Sequence, residues 1–463
     1  MPSPGMFTLL VRLLVLSLAA RALPDNIDAP SAASVKFKAA PGPKKDNSYI
    51  VTYKHGIDKE RSFQTFKATH PNIKVVQNYD QQTLNGFALE MDTMTAASLS
   101  HQSDVEHLVE DAIMTRPLQT IDGEIPPGMS KRWTRKHRHS KQKPSVKAQK
   151  NPLNDVSLAP ARWNLFDISH KSAPSVSTDY EYPHAESAGA GVDVYVLDTG
   201  IMLNHSQFGG RASWGRSFVN LSTDMNGHGT HVSGIIGGAD YGVAPRANLI
   251  AIQVLDGKGS GAVSGIISGV QEVMSRHRAK NAGYGTMQAY RPSVINLSLK
   301  GAANTALDAA VTAAIAANIH VCAAAGNSND DANAYSPGRV ASILTVGAST
   351  ISDMRANFSS FGPDVDIYAP GMTITSSWIG SIWATHVLSG TSQATPAVAG
   401  VVAVILSAST STLSMSPAAV ASKIQSMAKV GIDGIRILQA PLPFAASSGQ
   451  VVLPQALDYT EAA

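Results

Sequence analysis

A single cysteine, Cys322, occurs among the 463 residues, so the chain cannot form an intramolecular disulfide. Charged residues make up only 15% of the chain and aromatic residues 6%, whereas hydrophobic residues reach 44%. Low charge combined with many apolar residues excludes a globally disordered chain and allows a large packed core. The length predicts two or three domains. Stability must then come from the size of the core, or from a bound metal, rather than from disulfides.

Cys322 itself lies in the apolar segment 319–323, where a small buried side chain is the ordinary interpretation. A catalytic thiol is the alternative, but a better candidate nucleophile occurs elsewhere in the chain. We therefore expect Cys322 to be a core residue.

The net charge is only +3, yet the two parts of the chain differ in sign. Residues 1–150 contain 21 Lys and Arg against 14 Asp and Glu, a net charge of +7. Residues 151–463 contain 16 against 20, a net charge of −4. This asymmetry predicts two units with different roles.

No apolar segment reaches transmembrane length without interruption. The segment 6–20 is apolar apart from Arg12, and residues 20–22 form the small-x-small pattern of a cleavage site. An anchoring helix is the alternative, but the segment is short for a bilayer. We therefore predict a signal peptide over residues 1–22, no membrane association and a secreted protein, with the vacuole as the alternative destination.

A small α+β unit is predicted over residues 48–111, within a segment that extends over 23–112. β-Branched and aromatic residues mark its strands, and short polar–apolar stretches mark its helices. The predicted elements are strands at 49–53, 73–76, 84–91 and 105–110, and helices at 62–69 and 93–100. The resulting order, βαββαβ, is that of a ferredoxin-like fold.

Residues 113–158 are predicted to be a linker. The segment 131–150 contains nine Lys and Arg residues and no acidic residue. Such a run is typical of a nucleic-acid-binding arm or of an exposed, protease-sensitive connection. Behind a signal peptide the second interpretation is favoured, with a processing site at Lys131 and Arg132 and no nucleic-acid partner.

From residue 159 to residue 463, short apolar segments alternate with amphipathic helical ones. This alternation predicts an α/β fold, with a mostly parallel sheet and helices on both faces. The predicted elements are strands at 192–197, 249–255, 294–299, 320–324 and 343–346, and helices at 261–280 and 303–318.

Three segments of this second part carry residue types suited to acyl transfer. Asp198 ends a predicted buried strand in the sequence VLDTG, where open α/β sheets place functional residues. His228 lies between glycines in NGHGTHVSG, just before an apolar helix. Ser392 lies in SGTSQATP, which leads into the apolar helix predicted at 397–406.

The chemistry explains these residue types. A serine hydroxyl is a weak nucleophile, and a histidine within hydrogen-bond reach can accept its proton near neutral pH. A buried carboxylate orients the imidazole and stabilises its charged form. At a helix start, the N–H of Ser392 and the helix dipole can stabilise a developing oxyanion. Asp198, His228 and Ser392 are therefore the candidate catalytic triad.

Each segment alone has an alternative interpretation. An acid after a strand is often a structural cap, and His228 and His231 are a conceivable metal pair on a helix. However, the two histidines are only three residues apart and lack the glutamate of zinc proteases. A lipase or esterase would carry Gly-x-Ser-x-Gly and the order Ser, acid, His, and neither holds here. The order Asp, His, Ser matches one known arrangement.

On these motifs the chain resembles the subtilisin-like serine proteases, and particularly their proteinase K-like fungal branch, over roughly residues 160–440. The resemblance implies that Asn327, in the sequence AAAGN, is the side-chain donor of the oxyanion hole. Loss of this donor in a member of this family costs about 10²–10³ in kcat. The resemblance also implies that the first unit is an inhibitory propeptide, which assists folding and is then removed. The segment 163–169 is similar to the family's mature N-terminus, which places the cut between 131 and 158.

The family holds extended substrate between two backbone segments. The matching residues here are Gly259, Ser260, Gly261, Ser298, Leu299 and Lys300. Small residues at 323–326 imply a primary specificity pocket that favours apolar or aromatic side chains. Lys300 replaces the family's usual glycine, Gln393 a methionine and Ala397 a histidine. These departures motivate the alternative that the chain is a non-catalytic binding protein on the same fold.

The chemistry requires no cofactor. The resemblance implies a structural calcium ion at Asp366, completed by carbonyl groups near Ala341 and Ile343, with an ordinary loop acid as the alternative. Taken together, these features predict a secreted, monomeric serine endopeptidase made as a self-inhibited zymogen. Its expected partners are protein or peptide substrates and its own propeptide.

Sequons for N-glycosylation occur at Asn204, Asn220 and Asn357, as expected for a secretory route. Asn296 also fits the sequon pattern, but it lies in a predicted buried strand. We therefore expect the first three positions, and not Asn296, to be accessible.

Overall fold

The computed structural model describes residues 37–116, 162–172, 182–283, 290–408 and 415–441, together with the backbone of 451–452. The predicted signal peptide, the basic segment 131–150 and the processing site at Lys131 and Arg132 lie outside these residues.

The elements are numbered in chain order. The strands are β1 (Phe37–Lys38), β2 (Lys44–Tyr53), β3 (Lys74–Asn78), β4 (Gly86–Glu90), β5 (Val105–Thr115), β6 (His184–Ala185), β7 (Asp193–Asp198), β8 (Ala212–Ser217), β9 (Asn248–Gln253), β10 (Ser260–Ala262), β11 (Ser293–Leu297), β12 (Gly301–Ala302), β13 (His320–Ala324), β14 (Tyr335–Ser336), β15 (Leu344–Ser349), β16 (Ile367–Pro370), β17 (Ile374–Ser377), β18 (Thr385–Leu388), β19 (Lys429–Val430), β20 (Arg436–Ile437) and β21 (Val451–Val452). The helices are α1 (Lys59–Thr69), α2 (Thr93–Ser100), α3 (Trp163–Ser169), α4 (His228–Gly237), α5 (Val263–Asn281), α6 (Thr305–Ala316), α7 (Thr391–Ala408) and α8 (Pro417–Met427).

The first unit has the predicted βαββαβ order, in β2, α1, β3, β4, α2 and β5. Its four main strands lie in the order β5-β2-β4-β3, with the short β1 beside β5, so the ferredoxin-like prediction is confirmed. Both helices begin where the sequence supplies a cap. The carboxylate of Asp58 accepts the N–H of Arg61, and that of Asp92 accepts the N–H of Thr95.

The second unit is built on a nine-stranded sheet in the order β19-β20-β16-β15-β13-β11-β7-β9-β8. All of its neighbouring strands are parallel except the β19–β20 pair. Successive residues of β7 point to opposite faces of the sheet, and each face has its own hydrophobic core. Val194 packs with α4, α7 and α8, and Tyr195 packs with α5 and α6. The predicted α/β fold, with helices on both faces, is confirmed.

The strands and helices predicted between residues 192 and 346 agree with the structure to within three residues at each end. The helix predicted at 397–406 begins earlier, at Thr391. The predicted helix at 261–280 starts too early, because residues 260–262 form β10 and pair with β5. For the same reason, β5 runs to Thr115, beyond the predicted start of the linker at 113. The sequence did not predict β8, whose residues ASWGRS lack apolar alternation.

The order of the strands identifies β7 as the point in the sheet where a functional site is expected. From β7 the chain adds β9 on one side, and later β11 on the other, so the connections leave in opposite directions at this point. In open α/β sheets, sites form at the carboxyl ends of strands where this reversal occurs. Asp198 is the last residue of β7, and the predicted substrate segment 298–300 directly follows Leu297, the last residue of β11.

Helix α7 is long and apolar enough to span a membrane by length and composition. However, 89% of that stretch is buried inside the protein, as expected for a core helix. Cys322 is also fully buried, in β13, and burial raises the pKa of its thiol well above the usual range. A core position, rather than a reactive thiol, is the interpretation that the structure supports for Cys322.

Candidate active site

Asp198 and His228 form a direct, buried pair. Asp198 is the last residue of β7, and His228 is the first residue of α4. The Nδ1 atom of His228 lies 2.8 Å from Oδ1 and 3.0 Å from Oδ2 of Asp198. The backbone N–H of Thr199 donates to the same carboxylate at 2.7 Å. This contact assigns the proton of the neutral imidazole to Nδ1 and leaves Nε2 as the basic nitrogen.

A second carboxylate, that of Asp224, holds the start of α4 in place. It accepts the N–H of Gly227 at 2.8 Å, the N–H of Thr230 at 3.0 Å and the hydroxyl of Thr230 at 2.7 Å. It also accepts the hydroxyl of Thr199 at 2.9 Å, and Thr199 in turn accepts the N–H of Gly229. Burial raises the pKa of Asp224, and these hydrogen bonds oppose that shift.

Our sequence reasoning missed Asp224. The available signal was an acidic residue a few positions before a helix that lacks its own capping side chain, since Gly227 precedes His228. Asp224 therefore acts as a remote cap, and it ties the strand that ends in Asp198 to the helix that begins with His228.

Ser392 lies in the first turn of α7, which packs against α4. Its hydroxyl donates to the carbonyl oxygen of Ser298 at 3.2 Å. Among the described residues, the Nε2 atom of His228 is buried and has no hydrogen-bond partner. The serine–histidine hydrogen bond is thus not formed in this structure. Such bonds often form only when substrate is bound.

The side-chain amide of Asn327 is fixed by the first residue of α7. Its Oδ1 accepts the N–H of Thr391 at 2.9 Å and the hydroxyl of Thr391 at 2.8 Å. Its Nδ2 therefore faces the opposite side, toward Gly390, where an added Cβ would lie 2.9 Å from it. Gly390 has φ of +153°, so a side chain there would be both strained and crowded. The amide N–H groups of Asn327 consequently lie on the side of the chain that carries Ser392.

The predicted substrate-binding segments hold an extended peptide, namely the end of β5. Thr115 exchanges two backbone hydrogen bonds with Lys300, each 3.0 Å long. Ser260 pairs with Thr115 on the other side in antiparallel register. The N–H of Arg116 donates to the carbonyl oxygen of Gly259 at 3.0 Å. The first unit thus inserts one strand between the two segments.

The remaining predicted substrate residues lie beside this strand. Gly261 pairs with Met114 in β5, and Ser298 contacts Ser392. Leu299 is fully buried in the core on the side of α5 and α6. Its side chain therefore packs in this core and does not line the cleft.

The two units also meet outside the cleft. The carboxylate of Asp111 accepts the N–H of Ser264 at 2.9 Å and its hydroxyl at 2.7 Å, in the first turn of α5. Asp80 forms an ion pair with Arg278 at 3.0 Å. In both contacts the acid belongs to the first unit. The Asp111 contact is favourable because an anion at a helix N-terminus is stabilised by the helix dipole, and the Asp80 contact is favourable because the two charges are opposite.

The charge asymmetry of the chain does not lie in the folded part of the first unit. Residues 37–116 contain nine Lys and Arg against ten Asp and Glu, so this unit is not basic. The positive excess of residues 1–150 lies mainly in the segment 131–150, outside the described residues. The contacts between the units instead use acidic side chains of the first unit.

His231 does not pair with His228 around a metal. Its Nε2 lies 3.1 Å from the carbonyl oxygen of His386 and 3.2 Å from that of Ile374. Burial lowers the pKa of His231 to about 3, so the ring is neutral and donates a hydrogen bond. Within the described ranges, no group of three or more His, Cys, Asp or Glu side chains is arranged to hold a metal ion.

The surroundings of Asp366 do not fit a calcium ion. One carboxylate oxygen accepts the N–H of Thr345 at 2.9 Å, and the other accepts the side-chain N–H of Gln425 at 3.1 Å. Calcium is bound by oxygen ligands, whereas here hydrogen-bond donors face both oxygens. Burial raises the pKa of Asp366 to about 6. The residues present therefore favour the ordinary loop acid.

The substituted positions Gln393 and Ala397 are buried in α7 and leave the contacts of Asn327 and Asp198 intact. The sequon residues Asn204, Asn220 and Asn357 are exposed. Asn296 is fully buried in β11, as the sequence predicts. Only the first three are thus accessible for modification.

Comparison with known proteins identifies both units. The sequence profile of the subtilase family matches residues 189–441, and that of the peptidase inhibitor I9 family matches residues 48–116. The subtilisin-like serine protease pepC of Aspergillus niger is 45% identical over 251 residues, which cover 53% of this chain and 47% of pepC. The subtilisin-like proteinase Spm1 of Pyricularia oryzae is 36% identical over 423 residues, 88% of this chain and 74% of Spm1.

A solved structure supports the same assignment. The crystal structure of a cold adapted subtilisin-like serine proteinase matches with a TM-score of 0.54 and 40% identity, covering 61% of this chain and 99% of that one. The match to pepC, and to the subtilisin-like serine protease Pen c 2 of Penicillium citrinum, spans about half the length of those relatives. These relatives are fungal, as the predicted resemblance requires.

Proposed function

The chain belongs to the subtilase family, and we propose that it is the precursor of a secreted serine endopeptidase that is made as a self-inhibited zymogen. One observation carries this proposal. An extended strand of the chain lies between the two predicted substrate segments, and that cleft borders Ser392. A peptide substrate held in the same way would bring its backbone to a serine that lies near a buried Asp–His pair.

In the proposed reaction, Ser392 Oγ attacks the carbonyl carbon of the scissile peptide. His228 accepts the hydroxyl proton at Nε2 and returns it to the leaving amine, while Asp198 stabilises the charged imidazole. The developing oxyanion is stabilised by the N–H of Ser392, in the first turn of α7, and by the amide of Asn327. Water then hydrolyses the acyl-enzyme by the same sequence of proton transfers. The family's chemistry requires no cofactor.

Before the reaction, the hydroxyl of Ser392 must leave the carbonyl oxygen of Ser298. Release from this acceptor costs one neutral hydrogen bond. Such a bond contributes about 0.5–1.5 kcal/mol, so the cost is small against the barriers that enzymes lower.

Inhibition follows from occupancy of the cleft. Residues 113–116 use the backbone groups that a substrate would need, and Asp111 and Asp80 attach the same unit to α5. We propose that this unit, which continues past the predicted propeptide boundary at 112 to residue 116, blocks substrate until it is removed. Removal would use a cut between 131 and 158, and the catalytic domain would then consist of the chain from about residue 159 onward.

Several finer features belong to this proposal. The signal-like segment 1–22 and the exposed sequons favour a secretory route, with the vacuole as the alternative destination. The buried, small side chains at 323–325 favour a pocket for apolar or aromatic residues, although Lys300 lies against its wall at Gly326. We expect protein or peptide substrates and a monomeric enzyme.

A non-catalytic binding protein on the same fold is the second candidate, motivated by Lys300, Gln393 and Ala397. A binding protein would not need the polar contacts that hold Asp198, His228 and Asn327 in place. Those contacts are present, so they favour the enzyme.

The deciding experiment compares the full chain with its Ser392→Ala variant. We expect the variant to hydrolyse no peptide and to remain an uncleaved precursor, because the same nucleophile would carry out self-processing. Ser422→Ala, at an exposed position in α8, is the matched control and should behave as the unsubstituted chain.

Normal processing together with undiminished turnover in Ser392→Ala would contradict the proposed triad. Normal processing with loss of turnover would leave the triad in place, and it would indicate a separate protease that cuts at Lys131 and Arg132.

A further inference from the structure

The side chain of Lys300 lies in the region where the family places its primary specificity pocket. Two segments follow neighbouring strands here: 298–300 follows β11, and 325–328 follows β13. Ser298 in the first segment contacts Ser392, and Asn327 in the second contacts Thr391. A side chain that spans these segments therefore lies directly beside the nucleophile.

Lys300 crosses the space between the two segments. A Cβ atom at Gly326 would lie 2.7 Å from Cδ of Lys300 and 2.8 Å from its Nζ, so the lysine packs directly on the glycine backbone. Its Nζ donates to the hydroxyl of Ser328 at 2.6 Å and lies 3.6 Å from the ring centre of Tyr335. An aromatic substrate side chain would have to displace this lysine from its contacts.

The ammonium group has only neutral partners. Among the described residues, no carboxylate forms an ion pair with Lys300 within 4 Å. Asp330 is close enough to act on it electrostatically, but its oxygens accept the hydroxyls of Tyr335 and Ser360. Lys300 is partly buried, and this burial lowers its pKa from the usual value. Because burial lowers this pKa by more than Asp330 raises it, the charge of Lys300 is only partly compensated.

We propose that Lys300 is a specificity-determining residue that selects an acidic side chain in the substrate residue before the scissile bond. The inference rests on the proposed endopeptidase function. A substrate carboxylate entering between 298–300 and 325–328 would meet Nζ and form a hydrogen-bonded ion pair, which the neutral partners cannot provide. The preference for aromatic residues that the small walls at 323–326 imply would then be lost.

A lysine that only fills the space is the competing explanation. A space-filling side chain would disfavour all large residues equally and would favour alanine. Glutamate and glutamine have the same shape and differ in charge, so their comparison separates attraction from occlusion. A charge effect also weakens with added salt, whereas occlusion does not.

The test uses enzyme processed from the full chain and four peptides that differ only in the residue before the cut: Glu, Gln, Ala and Phe. We expect kcat/KM for the Glu peptide to exceed that for Gln by about tenfold to a hundredfold, the range of a charge-assisted hydrogen bond. The Glu/Gln ratio should fall as salt is raised. In Lys300→Met the ratio should approach one, and Lys423→Met, at an exposed position in α8, should retain it.

Equal rates for Glu and Gln in the unsubstituted enzyme, with Ala preferred, would overturn the proposal in favour of occlusion. A preference for Phe would overturn it in favour of a pocket that the lysine leaves open. If no peptide and no denatured protein substrate is hydrolysed, the endopeptidase function itself fails, and the inference fails with it. If Lys300→Met does not fold, as judged by its melting curve, the Glu/Gln ratio and its salt dependence still decide the outcome.

Discussion

Ser298 and Ser392 exchange two hydrogen bonds, each using the hydroxyl of one residue and the carbonyl oxygen of the other. The Ser392 hydroxyl donates at 3.2 Å, and the Ser298 hydroxyl donates at 3.0 Å. The second bond has a cause in the sequence. In a helix the carbonyl of residue 392 accepts the N–H of residue 396, but Pro396 has no N–H. Ser298 therefore satisfies a buried carbonyl that the helix leaves without a donor.

Ser298→Ala should lower kcat several-fold to about tenfold and destabilise the fold by about 1–3 kcal/mol, because the Ser392 carbonyl loses its donor. The measurement is peptide hydrolysis together with urea unfolding. Pro396→Ala restores an N–H at the helical position, so the loss caused by Ser298→Ala should be smaller in that background. Equal losses in both backgrounds would show that the hydroxyl of Ser298 does not act through this carbonyl.

Asp111→Asn should weaken inhibition by the first unit, because a neutral amide interacts less favourably with the start of α5 than a carboxylate does. We expect a several-fold rise in the inhibition constant when residues 23–150 are added in trans to processed enzyme. Asp80→Asn should act in the same direction through Arg278, and added salt should weaken inhibition further. Asp92→Asn, in a cap on α2 away from these contacts, is the control and should leave inhibition unchanged.

Asp366→Asn should stabilise the fold, or leave it unchanged, at pH 7 to 8. The pKa of this carboxyl is raised to about 6 in the folded chain, so its charged form is disfavoured by folding. Its contribution to stability therefore falls as pH rises from about 4 to 6, and the variant should lose that dependence. Melting curves with calcium and with chelator check the alternative. A melting temperature that calcium raises, and that Asp366→Asn abolishes, would restore the calcium site.

Three buried histidines should each lower the stability of the fold on acidification from about pH 6.5 to pH 4, in the direction opposite to Asp366. Burial lowers the pKa of His277 and His320 to about 4 and that of His231 to about 3. The unfolded chain binds more protons in this range, so the free energy of unfolding falls as pH falls. Each histidine contributes up to about 1.4 kcal/mol per pH unit. Urea unfolding of Ser392→Ala, which cannot digest itself, would measure the slope, and His320→Gln should reduce it.

The candidate catalytic residues could be predicted because their roles are local. Asp198 lies at a strand end, His228 lies between glycines, and Ser392 lies at a helix start. Each of these features is encoded by a few adjacent residues. The periodicity of the strands and helices is local in the same sense, which explains the agreement in the second unit. Asp224 left only the weaker signal of an acid shortly before an uncapped helix, and its contact with Thr199, which ties this helix to the end of β7, could not be predicted because the two residues are far apart in the chain.

The sequence by itself determined the order of the two units, the alternation that makes an α/β sheet, and the residues that carry the proposed chemistry. Tertiary structure alone decided how those residues are used. It paired the end of β5 with β10 and Lys300, gave the Ser392 carbonyl a donor in Ser298, and laid Lys300 against Gly326. The physical reason is that these contacts join segments far apart in the chain. Their distances depend on how the sheet twists and packs, which no short stretch of residues encodes.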